Sequence, residues 1–270
     1  MIYPWARRLL WLGVHWQAVR TGVWQAERPM AADGPLSAVH AIAIRLDPSR
    51  VRFDLASRDD GQRWTIDRMP TGSTVAFNAG QFRGPWPWGW LVEDGVESQE
   101  PGRGTLAMAF VVDSAGRASL VTPDELPAAR GHVRLAMQSF PALLVGDGQE
   151  PWELQDAGRG VDLDHRDSRL ALGILDDGSV VVVLTRLTGL GRAGEMLPFG
   201  PTVTEMAVFM RSLGCRRAML LDGGLSSQLA LRGADGRVRQ WKNWRTVPLG
   251  LVVTPSPPTP AVTATTGRTR

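Results

Sequence analysis

The chain has 270 residues, 43% hydrophobic and 21% charged, with a formal net charge of +3; these are ordinary proportions for a globular protein with a sizeable core, in one long domain or two small ones. Its cations are almost all arginine, Lys242 being the single lysine, and they alternate with Asp and Glu, which argues against a nucleic-acid partner. No segment approaches the roughly 20 apolar residues of a membrane-spanning helix, and the lone Cys215 allows no intrachain disulfide.

In chain order, Arg7-Arg8 and the apolar residues 9–14 resemble the start of a signal peptide, but the apolar core is short and no small-x-small cleavage site follows. Residues 1–35 are set apart as an N-terminal segment that holds a leader remnant or a first strand. The compartment stays open, with export the favoured expectation. Val39–Leu46 alternates and is β-branched, a strand; Asp47-Pro48-Ser49-Arg50 turns it, and residues 51–55 return as its hairpin partner. Residues 74–77 are a further strand, ending in Asn78-Ala79-Gly80-Gln81-Phe82. Pro85-Trp86-Pro87-Trp88-Gly89-Trp90 is a rigid aromatic loop whose tryptophans share a face if extended, to rim a sugar site or to anchor packing.

A hairpin runs from residues 106–112 to 118–121, and 135–140 and 143–145 are short apolar runs. Residues 169–175 turn at Asp176-Asp177-Gly178 into 180–185, the clearest hairpin signal of the chain. Thr202-Val203-Thr204-Glu205 is a capping box opening a helix that stops near Gly214. Residues 218–221 are a buried strand leading to Asp222, and 247–253 are the last strand. Residues 254–270, rich in Pro and Thr, carry no core and are expected to be disordered. The balance reads as α+β: a mixed β-sheet core with few helices, a single domain over residues 36–253.

Three clusters share one design, in which a strand feeds a polar residue into a glycine-containing turn: Asn78-Ala79-Gly80-Gln81-Phe82, Arg169-Leu170-Ala171-Leu172-Gly173, and Asp222-Gly223-Gly224-Leu225-Ser226-Ser227. In this order, with the capped helix directly before the third, the chain resembles the phosphodiester glycosidase family. Residues 141–148 and Arg245-Thr246-Val247 also match its pattern. Ala79, Gln81, Leu170 and Leu225 depart from it, where the family has glycine, an aromatic residue, threonine and glycine.

The resemblance implies hydrolysis of a sugar-1-phosphodiester at its glycosidic bond, releasing sugar and a phosphomonoester. The residue types suit that chemistry. Forked guanidinium groups of Arg169 or Arg245 bind phosphate oxygens in pairs. Asp222 is the carboxylate that stabilises a cationic sugar or activates water. Amides of Gly223 and Gly224, with the Ser226 and Ser227 hydroxyls, form an anion nest. Asn78 orients sugar hydroxyls, and Gly80, Thr204 and Glu205 follow as substrate contacts. Glu205 is equally explained by its capping box. His15, His40, His132 and His165 lack ligand spacing, so no metal or cofactor is expected. The expected partner is a sugar-phosphodiester, small or polymeric, such as an envelope polymer or exopolysaccharide. The competing reading is a non-catalytic protein binding a carbohydrate or phosphopolymer.

Overall fold

The computed structural model describes residues 13–56, 64–154, 161–189 and 191–256. Three sheets and a small ribbon account for most of them. The largest has seven strands, in the spatial order Gln17–Arg20, Val23–Pro29, Val39–Leu46, Val180–Leu187, Leu170–Leu175, Cys215–Leu220 and Ala142–Leu144. A second, of five, centres on Met108–Asp113 and Val133–Ser139. The third runs Val238–Trp241, Leu229–Arg232, Val75–Asn78, Gly250–Pro255 and Val51–Ala56.

The central strands of the seven-stranded sheet are buried on both faces, which explains the apolar run of residues 180–184 within Val180–Leu187. Along Leu170–Leu175, Leu170 and Leu172 join the core shared by the sheets, with Ile44, Phe53, Phe77 and Phe110. Ala171 faces the other way, toward Met206, Phe209 and Met210 of the helix Val203–Ser212. Gly173 is required by that packing: a Cβ there would lie 2.6 Å from Cys215 Sγ and 2.8 Å from Met210 Cε. Cys215 is buried, which pushes its thiol pKa up, and it is a packing residue.

The α+β balance, the strong hairpin and the capped helix stand as expected. Several local expectations do not. Val51–Ala56 does not pair with Val39–Leu46; it pairs with Gly250–Pro255, so Asp47-Pro48-Ser49-Arg50 carries the chain from one sheet to another. Every strand ladder among the described residues is antiparallel, where a mixed sheet was expected. The aromatic loop contains a strand, Trp86–Trp88, paired with Gln81–Arg83. Residues 17–29 form two strands of the main sheet, and the last strand reaches Pro255. The signal-like residues 7–12 and the tail from 257 lie outside the described residues.

Candidate active site

Asp222 stands where the chain leaves Cys215–Leu220 of the main sheet for Leu229–Arg232 of the third, through a 3-10 turn, Gly224–Ser226. Its amide donates to the Gly80 carbonyl at 2.9 Å. Its carbonyl accepts from Asn78 Nδ2 at 2.7 Å, and Asn78 Oδ1 accepts from the Gln228 amide at 2.8 Å. Asn78 is fully buried, with both ends of its amide on backbone. It braces the 222–228 loop, which replaces the expectation that it orients sugar hydroxyls. Gly80, at φ +61°, supplies the turn and the carbonyl that receive Asp222.

The carboxylate so held is isolated. Asp222 Oδ2 is buried without a hydrogen-bond partner. Burial pushes its pKa up to about 6; the Ser226 hydroxyl and the Arg245 guanidinium oppose the rise, and the nearby Asp167 carboxylate adds to it.

Asp167 is a second acid that the sequence reading did not single out. Its Oδ1 is likewise buried without a partner, and burial raises its pKa against the pull of Arg169 and His165. His165 Nε2 lies 3.7 Å from Asp167 Oδ2. Asp167 packs against Gly224, where a Cβ would lie 2.6 Å from Oδ2 and where φ is +56°; only glycine meets both conditions readily. In sequence Asp167 ends the run Asp162-Leu163-Asp164-His165-Arg166-Asp167, which has the composition of a solvated loop.

Arg169 lies beside this acid but is tied inward. Nε donates to Pro201 O at 3.1 Å and Nη2 to His165 O at 2.5 Å. Burial lowers its pKa, with Asp167 opposing. Arg169 staples the loop bearing Asp167 to the helix entrance through these two bonds. Glu205 acts on the same loop. It completes the capping box with Thr202, and its two carboxylate oxygens each accept from Arg166 at 2.7 Å. Thr204 Oγ1 rests 3.1 Å from Thr202 Oγ1. Thr204 and Glu205, expected at the substrate, are engaged at the helix start.

The anion nest is smaller than expected. The Gly224 amide donates to Ser168 O at 2.8 Å, and Ser227 Oγ donates to Gly224 O at 2.8 Å. Both point into the protein, and Asn243 Nδ2 also bonds Gly224 O, at 2.7 Å. Gly223 is needed for space: a Cβ there would lie 2.8 Å from Ser168 O. Ser226 is the hydroxyl that reaches the Asp222 carboxylate.

Arg245 is the cation left for a ligand. Its amide donates to Leu225 O at 2.9 Å and its carbonyl accepts from Gln228 Nε2 at 2.9 Å. Its exposed guanidinium makes no hydrogen bond or ion pair among the described residues. Trp244 and Leu225 are exposed beside it. The expected tryptophan face divides: Trp86 is exposed, Trp88 stacks edge-on against Phe140 with centroids 5.0 Å apart, and Trp90 is fully buried.

Arg245 and Asp167 both act on Asp222, Asn78 and Gly80 bond it, and Arg169 acts on Asp167, so the separated clusters meet at one end of the main sheet. The structure is similar to the zebrafish N-acetylglucosamine-1-phosphodiester alpha-N-acetylglucosaminidase catalytic domain, at 16% identity and a TM-score of 0.61, over 86% of this chain and 82% of that one. A hypothetical protein from Synechocystis is similar at 15% identity and 0.56, over 86% and 62% of the two chains. A protein of Burkholderia pseudomallei K96243 described as exported is similar at 16% and 0.51, over 80% and 74%. At these identities the likeness carries the fold alone. No curated protein matches the sequence. The phosphodiester glycosidase profile matches residues 71–254, more than half of the chain, and the protein belongs to that family.

Proposed function

We propose that this protein hydrolyses the glycosidic bond of a sugar-1-phosphodiester, with Asp222 and Asp167 as its working carboxyl groups. The observation that carries the reading is the pair of buried, unpartnered carboxylate oxygens, Asp222 Oδ2 and Asp167 Oδ1, beside the unpaired cation Arg245. Burying charge without a partner costs stability, and such groups concentrate where chemistry uses them.

Arg245 takes the single charge of the phosphodiester through its guanidinium fork. As the C1–O bond breaks, its electron pair leaves with the phosphate, which needs little protonation. Ionised Asp222 stabilises the cationic sugar or takes the proton of the water that bonds to C1. Burial keeps the pKa of Asp222 high, and Asp167 adds to it. Exposed Trp244 and Leu225 offer apolar surface to the sugar's C–H face. An envelope polymer or exopolysaccharide is the proposed source of the substrate.

Asp222→Asn tests this. Sugar release from an α-sugar-1-phosphodiester should fall by about 100-fold or more, the scale of a lost acid–base group, while a phosphonate analogue still binds. Undiminished release by the variant would contradict the assignment. No release by the wild-type protein, with the analogue bound tightly, would favour the non-catalytic binding protein.

A further inference from the structure

Most of the arginines here are spoken for. Of those whose side chains are described, Arg83, Arg103 and Arg245 make no hydrogen bond or ion pair. Arg245 is assigned above. Arg83 and Arg103 line one cavity of about 370 Å³, together with Gln81, Phe82 and Trp88. Both side chains are exposed, and the lining of this cavity contains no carboxylate.

The cavity is built. Gln138, fully buried, joins its walls: Oε1 accepts from the Trp90 amide at 2.9 Å and the Gly102 amide at 2.7 Å, and Nε2 donates to Gly102 O at 3.1 Å. Trp88 packs so closely on Gly102 that a Cβ there would lie 2.6 Å from its ring. Gln81 Nε2 donates to Phe140 O at 3.1 Å. The arginines and the ring therefore project from fixed backbone. Asp222 does not line the cavity, but its amide bonds the carbonyl of Gly80, the residue before Gln81, at 2.9 Å. Arg103 and Thr105 also line a second cavity of about 1080 Å³, which Trp152 and the acids Asp124, Glu150 and Glu153 border.

We propose that the smaller void binds the leaving-group side of a phosphodiester-linked carbohydrate or polyol chain, with Arg83 and Arg103 taking the phosphate next along the chain from the scissile one. Placing this site on the leaving-group side rests on the hydrolase reading above; the anion site rests on its own residues. Aromatic and apolar walls favour a saturated sugar or polyol unit packed between phosphates. A second phosphate held beyond the scissile one makes the substrate a chain and not a single sugar phosphate.

Binding to Asp222→Asn, which separates affinity from turnover, tests the proposal. Calorimetric titration at low salt uses three probes: glycerol phosphate, a tri(glycerol phosphate) chain, and a thymidine trinucleotide. The chain should bind at least 10-fold more tightly than glycerol phosphate, and Arg83→Gln/Arg103→Gln should remove that advantage and flatten its salt dependence. Both arginines are exposed, so the double variant should keep its circular dichroism spectrum and melting temperature. Equal affinity for chain and monomer, an unchanged titration in the double variant, or tighter binding of the trinucleotide would overturn the proposal. A wild-type protein that binds the chain but releases no sugar from an α-sugar-1-phosphodiester would overturn the hydrolase reading and leave the anion site standing.

Discussion

The Asp222 carboxyl group couples function to stability. Its pKa is raised to about 6 by burial, above the ordinary aspartate value near 4 that it has in the unfolded chain. Between those values the folded state binds more protons than the unfolded one, so this group lowers stability as pH rises through about 4 to 6. Asp222→Asn removes that penalty. Denaturant unfolding at pH 8 should show the variant more stable than wild type by about 2 kcal/mol, the order expected for such a shift, with little difference at pH 4. A variant less stable than wild type at pH 8 would show that the carboxylate is satisfied, contrary to the isolation of Oδ2. A second prediction concerns Gly224. Ala at this position would meet Asp167 Oδ2 and strain a φ of +56°, so Gly224→Ala should lose most sugar release while staying folded, measured by turnover alongside circular dichroism.

At the scale of elements, the site depends on two braces. Asn78, at the end of Val75–Asn78, joins Asp222 to Gln228 across the loop. Asn78→Ala leaves two buried backbone groups unpaired, each costing about 1–3 kcal/mol; chemical denaturation should show a loss of several kcal/mol. The other brace is Glu205, which both caps Val203–Ser212 and grips Arg166. Glu205→Gln keeps an acceptor for the cap and breaks the ion pair, and hydrogen exchange in residues 161–169 should rise.

The sequence was most legible where one local rule decided the outcome. Thr202 and Glu205 announce their helix through capping chemistry, and Asp176-Asp177-Gly178 its hairpin. Partners that need the whole fold were not legible. Val51–Ala56 looked like a return strand because the turn before it is short, yet it joins a strand near residue 250. Asp167 carries no signal beyond standing two residues before Arg169; its burial comes from Gly224, more than fifty positions away. Asn78, Gly224, Ser227, Thr204 and Glu205 stand out in the sequence because they lie in the segments that match the family pattern, but their residue types do not say whether they face a ligand or hold the loop. Hydrogen-bond direction separates those roles.

Across the molecule, the main sheet is covered on one face by the helix and on the other by the remaining sheets. Its end gathers residues from four stretches of chain: Asn78 and Gly80, Asp167 and Arg169, Asp222 and Ser226, and Arg245. The cleft of Arg83, Arg103 and Trp88 opens beside them through the segment after Gly80. The acids stand in loops next to ladder strands, Asp167 before Leu170–Leu175 and Asp222 after Cys215–Leu220, while the exposed cations come from loops and from the short Gln81–Arg83 ribbon, which fits recognition at the rim and chemistry at the sheet's end.

The most direct measurement is hydrolysis of an α-sugar-1-phosphodiester in ¹⁸O-enriched water, with the label located by mass spectrometry. Attack at C1 beside Asp222 predicts ¹⁸O in the released sugar and unlabelled phosphomonoester. Label in the phosphate, with none in the sugar, would mean that phosphorus and not C1 is attacked, and the account of this site would be wrong.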